Sequence, residues 1–354
     1  MLPRKISEQI LTIGCSYKHP KGGVAQVMKS YETSVFSDFK CIINSGGNNR
    51  LTKSLRAVWA SVEMTIRLFF DWKIKIVHIH TASYNSFRRS ALFLRLAKAF
   101  RKKVILHIHG GGFKEYYASN PVWIANILDC SDAIISLSES WRAFLASVTF
   151  SPQIDVLENI VDCPQKIGFA KTDHRFHLLF LGKIDEQKGI FDLLETIHDY
   201  YSEFSGRIKL HIGGNGDVER LHKLIHDYEL EEEVCYEGFV SGEKKNTLLS
   251  KSDAYILPSY TEGLPVSILE AMSYRLAVIS TPVGGIPEVI EDGVNGILVQ
   301  PGDKDAITFA ILRLMNDSYL CNYMGAVSYQ RVQTHFPDTV SKNLEDIYMN
   351  LLAK

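Results

Sequence analysis

Short apolar, β-rich runs alternate with segments of helical period along nearly the whole chain, and this alternation limits the fold more than any other feature. The first half carries QILTIG (9–14), IKIVHIH (74–80), KVILHIH (103–109) and DAIISLS (132–138). The second half repeats the rhythm with HLLFLG (177–182), IKLHIGG (208–214), VCYEGF (234–239), AYILPS (254–259) and LAVIST (276–281). Helical stretches fall at 50–72, 87–101, 188–201, 217–228, 262–274 and 304–316, each opening near an N-cap, glycine or turn signal. Apolar strands separated by helices predict βαβ units, with parallel sheets covered on both faces. At 354 residues the chain also exceeds the roughly 250–300 at which a single core stops growing. Two doubly wound α/β domains are therefore expected, 1–165 and 166–335, with the aperiodic stretch 157–175 as linker. The tail, 336–354, reads as a last helix that can cross back to the N-terminal domain. Asp338 can cap it, and Val340, Leu344, Ile347 and Leu351 recur at helical spacing.

The net charge of −1 hides an asymmetry. Residues 1–165 hold 21 Lys+Arg against 12 Asp+Glu, and residues 166–354 hold 18 against 28. A basic half next to an acidic one suggests that the first half approaches something anionic, such as a membrane surface or a phosphorylated lipid, although drift of surface charge would look the same. The six cysteines are scattered without paired spacing, so neither a disulfide framework nor a thiolate zinc site is indicated. No apolar run approaches the roughly 20 residues needed to span a membrane, and the first apolar run reads as a strand rather than a signal peptide. A cytoplasmic protein starting at Met1 is expected, with no nucleic-acid partner.

Three loops carry candidate chemistry. Gly22 and Gly23 follow the first strand and open a helix, where bare backbone amides and the helix dipole can receive a phosphate; a plain strand-to-helix turn would use glycine equally well. Lys183 and Lys188, with Gly189, follow the first strand of the second half and can bracket a diphosphate. The stretch from 257 to 303 is the most informative. A strand ends at Ser259, a turn follows with Glu262, Gly263, Leu264 and Pro265, and a helix from Val266 carries Glu270. Helix amides there suit a phosphate, and the carboxylates can accept hydrogen bonds from sugar and ribose hydroxyls. Solvated helix charges are the plainer alternative.

At these residues the sequence resembles the retaining GT-B glycosyltransferases of family 4, which build bacterial capsules, lipopolysaccharides and glycolipids. Glu262 and Glu270, with seven residues between them, look like that family's Glu-x7-Glu motif. Further matching pieces are Gly22-Gly23, His109 in HIHGG, Asn159 to Asp162, Lys188-Gly189, Gly213 to Gly216, and Gly284-Gly285 to Glu288. The resemblance implies a GT-B architecture, α/β, with two Rossmann-like domains facing a central cleft, an N-terminal acceptor side and a C-terminal nucleotide-sugar side. It implies Glu262 near the sugar 3-hydroxyl, Glu270 on the ribose, His109 near the transferred sugar, and Gly22, Gly23, Gly214, Gly263, Leu264, Pro265 and Val266 along the donor. The chain departs from the family at Lys183, which stands where an arginine is usual; a point charge replaces a planar fork, and the role is expected to survive.

By that resemblance the reaction moves a sugar from a nucleotide-diphosphate donor to a saccharide or polyprenyl-linked acceptor, with retention and without a metal or other cofactor. No motif reads the base; a UDP-linked donor is the expectation. His78, His80, His107 and His109 form two His-x-His pairs, but no acidic ligand stands at ligand spacing, so packing is expected rather than a metal site. The segment 87–103 carries seven basic residues and no acidic one, interleaved with Leu92, Phe93, Leu96 and Phe100. Its apolar stripe would pack, and its basic face could meet an anionic membrane surface or acceptor phosphate, placing the protein at the inner face of the cytoplasmic membrane. A dehydrogenase is disfavoured because Glu219 stands where the last small residue of a dinucleotide fingerprint belongs, and no GxxxxGK[ST] loop is present. A nucleotide-sugar epimerase, a phosphorylase or a non-catalytic sugar-nucleotide-binding subunit would share the paired-domain pattern.

Overall fold

The computed structural model describes residues 1–18, 23–45, 50–110, 112–150, 152–164 and 173–353. The chain divides into two compact units, one comprising Met1–Val161 and Thr334–Lys354, the other Asp162–Gln333. The first unit thus ends a few residues before the expected boundary at 165, and the end of the chain belongs to it.

Six parallel strands build the first unit: β1 (Ile10–Cys15), β2 (Cys41–Ser45), β3 (Ile76–Thr81), β4 (Lys103–Ile108), β5 (Ala133–Ser136) and β6 (Gln153–Val156). Their order across the sheet is β2-β1-β3-β4-β5-β6. The inner strands β3 and β5 are buried at every position, as a sheet covered on both faces requires. Helices Arg50–Phe70 and Asn85–Ala99 pack Ala60, Met64, Leu68, Phe87 and Leu94 against Val77, Ile79 and Leu106.

The last helix, Pro337–Leu352, buries Val340, Leu344, Ile347 and Leu351 in this same unit. Asp338 does not cap it. Pro337 takes the first helical position, where its fixed φ suits the entry, and Phe336 precedes it with no side-chain cap. Asp338 lies in the first turn, where its charge still favours the helix dipole. Where the chain leaves and re-enters the unit, Val161 N donates to the His335 carbonyl at 3.0 Å, and His335 Nδ1 lies 3.0 Å from the Asn159 carbonyl.

The second unit holds β7 (Phe176–Leu181), β8 (Ile208–Gly213), β9 (Val234–Gly238), β10 (Ala254–Leu257), β11 (Ala277–Ser280) and β12 (Gly296–Leu298), in the order β12-β11-β10-β7-β8-β9. All pair in parallel. The strand order reverses between β7 and β10, and in such sheets ligands bind outside the carboxyl ends of the strands at that switch point.

Candidate active site

The loops leaving β7 and β10 emerge side by side at the switch point, and backbone contacts hold them in one arrangement. Tyr260 N donates to the Gln187 carbonyl at 2.9 Å. Gly189 sits at φ +67°, and a side chain there would put Cβ 2.2 Å from the Pro258 carbonyl oxygen, so only glycine lets the two loops meet. After β8, Gly214 would carry a Cβ 1.8 Å from the Gly182 oxygen, and Asp217 N donates to Ile184 O at 2.8 Å. The glycines of this region serve loop-to-loop approach, a job the spacing alone could not distinguish from ligand approach.

Within that frame Lys188 and Glu262 meet directly, Nζ to Oε1 at 2.5 Å, although 74 residues separate them. The Glu262 side chain is only 8% exposed and that of Lys188 24%. Ser259 Oγ donates to the same carboxylate oxygen at 2.9 Å, and Thr281 Oγ1 donates to the Ser259 carbonyl at 2.6 Å. Gly284, at φ +60°, lies against the Glu262 and Gly263 carbonyls, and Gly285 N donates to Gly263 O at 2.5 Å. The turn Glu262–Pro265 is thereby fixed before the helix Val266–Ser273 begins. That helix has Pro265 in front and no side-chain cap, and Ile268 N donates to the Pro265 carbonyl at 3.2 Å.

Asp185 organises the β7 loop. Its carboxylate accepts from Lys188 N at 3.2 Å and from Lys183 Nζ at 2.7 Å, leaving Lys183 64% exposed. Glu270, one turn along the helix, is ion-paired with Lys245 from the helix Gly242–Lys251. Both side chains are largely buried. Ser259, Thr281, Asp185 and Lys245 were not among the sequence candidates. Serine, threonine and a helix lysine carry no spacing signal, and only the strand order brings them here.

Gly22 lies outside the described residues, and Gly23 opens the helix Gly23–Ser30 of the first unit. His109 follows β4 in that unit, its backbone N donating to Thr81 O at 2.7 Å. The two His-x-His pairs form one stack, because β3 and β4 run in register with His80 opposite His107. His80 Nδ1 is 2.8 Å from His109 Nε2, His78 Nε2 is 3.2 Å from His107 Nδ1, and His78 Nδ1 is 2.6 Å from the Tyr348 hydroxyl. Burial pushes all four imidazoles down in pKa, His78 and His109 to about 3, so each is neutral near pH 7. His109 can therefore offer a hydrogen bond but not a positive charge. His78, His80 and His107 each bring a nitrogen within 4.8 Å of the others, as do His211, Cys235 and Glu237 with their own ligand atoms in the second unit. Within the first group one ring-to-ring hydrogen bond joins His78 to His107, His80 pairs instead with His109, and Nε2 of His80 and of His107 is buried without a hydrogen-bond partner. In the second, His211 Nδ1 is 3.0 Å from Glu237 Oε1, and Glu237 is also paired with Lys244.

Residues 33–165 match the family described as Glycosyltransferase Family 4, and residues 165–331 match Glycosyl transferases group 1. An uncharacterized glycosyltransferase of Methanocaldococcus jannaschii is 27% identical over 76% of this chain and 74% of its own length. The amylovoran biosynthesis glycosyltransferase AmsK of Erwinia amylovora is 29% identical over 62% of this chain and 57% of its own. Among solved structures, sucrose-phosphate synthase from Thermosynechococcus elongatus superposes with a TM-score of 0.78 over 98% of this chain and 99% of that one, at 17% identity. The HepE protein of Anabaena, solved with UDP and glucose, gives 0.76 over 96% and 99%, at 15% identity. With family matches that together run from residue 33 to 331, and two Rossmann-like units shared with GT-B enzymes, this chain belongs to the family 4, group 1 glycosyltransferases.

Proposed function

We propose that the protein transfers a sugar from a UDP-linked donor to a saccharide or lipid-linked saccharide acceptor in cell-surface polysaccharide synthesis, with retention and without a metal ion, at the inner face of the cytoplasmic membrane. The Lys188–Glu262 pair at the switch point carries the reading. A lysine held against a nearly buried carboxylate, beside uncapped helix amides, is a preorganised set of opposite charges. The cation and amides suit a diphosphate, and the carboxylate suits sugar hydroxyls. The amylovoran and colanic acid names of relatives support the polysaccharide setting, and the UDP bound to HepE supports the donor.

In this reading the diphosphate lies across the Val266 helix amides, with Lys188 and the exposed Lys183 over it. Glu262 accepts from the sugar and Glu270 from the ribose. The bond from the anomeric carbon to the β-phosphate oxygen breaks, its electron pair stays on the diphosphate, and the acceptor oxygen bonds to carbon on the departing side. The acceptor proton goes to the leaving phosphate oxygen. Neutral His109 positions the sugar by a hydrogen bond.

A thermal-shift screen against a panel of nucleotide-sugars tests the donor, because a ligand of the native state raises its stability. UDP-sugars are expected to raise the midpoint. Transfer, donor hydrolysis and epimerisation are then assayed side by side. No stabilisation by any nucleotide-sugar, epimerisation without transfer, or an inverted anomer in the product would each refute the corresponding part.

A further inference from the structure

The helix Arg50–Phe70 is apolar on two opposite faces. Ala57, Ala60, Met64 and Leu68 point into the core of the first unit. Roughly half a turn away, Trp59, Val62, Ile66, Phe69 and Phe70 form a second stripe, which Trp72 extends just past the helix end. All six are exposed, Phe70 by 74% and Trp72 by 82%. At 1.5 Å per residue the stripe from 59 to 70 is about 16 Å long. A helix of a water-soluble surface normally has polar residues opposite its buried face, and scattered single apolar residues need no account, but a continuous aromatic and aliphatic ridge does.

We infer that this ridge is the face on which the protein lies on an anionic lipid bilayer. The occupant follows from composition and charge. Tryptophan and phenylalanine on the apolar side, with cations at its margins, are what an interfacial helix carries. The two carboxylates of segment 50–75 are both neutralised, Glu63 by Arg67 and Asp71 by Lys40, and Lys73 beside Trp72 is exposed but paired with Glu8. The helix Asn85–Ala99 packs next to the ridge helix and buries Phe87, Ala91 and Leu94. It shows the solvent Arg88 and Arg95, which have no ion-pair partner among the described residues. Arg88 and Arg95 of the basic segment 87–103 thus supply the charged margin, Lys98 and Lys103 being paired with Asp132, while the membrane-facing apolar surface comes from the neighbouring helix. Among the described residues no helix is long and apolar enough to cross a membrane, so the contact is one of surface binding.

The inference uses surface residues alone and is tested without donor or acceptor. The full chain is co-sedimented with vesicles of phosphatidylcholine, plain or doped with phosphatidylglycerol. Binding is expected on the doped vesicles and to weaken on the plain ones, with a blue shift of tryptophan emission. The variant Trp59→Ser/Phe69→Ser/Trp72→Ser, whose changes are all at exposed positions, is expected to bind the doped vesicles about tenfold or more weakly. Replacing Arg88 and Arg95 by Gln is expected to cost about fivefold for each charge. Equal unfolding midpoints for variant and wild type check that the fold is kept. Failure of the wild type to bind doped vesicles overturns the inference, as does undiminished binding of the triple variant. A concentration-dependent dimer that the triple variant abolishes, with no vesicle binding, would instead assign the ridge to a second copy of this chain.

Discussion

Removing the charge on Lys188 should separate its structural role from its catalytic one. Its Nζ is 2.5 Å from Glu262 Oε1, with side-chain exposures of 24% and 8%. Breaking a fully buried ion pair costs about 3–5 kcal/mol because the remaining charge is stranded. Here a quarter of the lysine reaches water, and Ser259 Oγ still donates to the carboxylate, so about 2 kcal/mol is expected for Lys188→Met. For a domain of 150–250 residues, into which Asp162–Gln333 falls, that is about 4–8 °C in midpoint. Glu262→Gln should cost about 1–2 kcal/mol by stranding the lysine. The double variant removes both charges and should cost no more than about 1 kcal/mol, which gives a coupling of about 2–4 kcal/mol. Turnover should behave differently, falling about 100-fold in Lys188→Met and staying low in the double variant, whose stability has returned. Thermal unfolding and transfer rates on the same four proteins decide it. Additive stability losses, or turnover near wild type in Lys188→Met, would refute the argument.

Three further outcomes are expected. Gly284→Ala places a Cβ 2.2 Å from the Glu262 carbonyl at φ +60°, so the turn must move by about 1 Å and kcat/KM should fall about 100-fold with secondary structure intact; wild-type kinetics would contradict this. The buried histidines make stability pH-dependent. With native pKa values depressed toward about 3 for His78 and His109, against about 6.5 unfolded, their contribution is complete above pH 6.5 and is lost as pH falls toward 3. Unfolding near pH 5.5 should take up about three or more protons, measured by calorimetry in buffers of different ionisation enthalpy, and uptake near zero would refute it. Transfer should survive EDTA; loss that magnesium reverses would sink the metal-independent proposal.

The parallel α/β class and the strands β1, β3 to β5 and β7 to β11 were legible from the sequence, because buried strands of a parallel sheet must be apolar throughout, while Lys188, Glu262 and Glu270 were singled out by the family resemblance. The strands that sequence reading passed over are β2, β6 and β12, all at sheet edges. An edge strand has one neighbour, so β2 alternates in burial, β6 is half-buried throughout, and β12 is three residues long. None of them needs the continuous apolar run that marks an inner strand.

Other features exist only in three dimensions. The contact of Lys188 with Glu262, the pairing of Lys245 with Glu270, and the His78–Tyr348 hydrogen bond join residues 74, 25 and 270 positions apart. The order in which strands are laid beside one another decides such contacts, and no local pattern records it. The sequence by itself determined that two sheets would form and which residue types would stand at their carboxyl ends, because periodicity and burial are local properties. Tertiary structure alone decided that Glu262 would face a lysine and that one helix would keep an apolar face exposed among the described residues, because burial on that helix depends on what the rest of the chain covers.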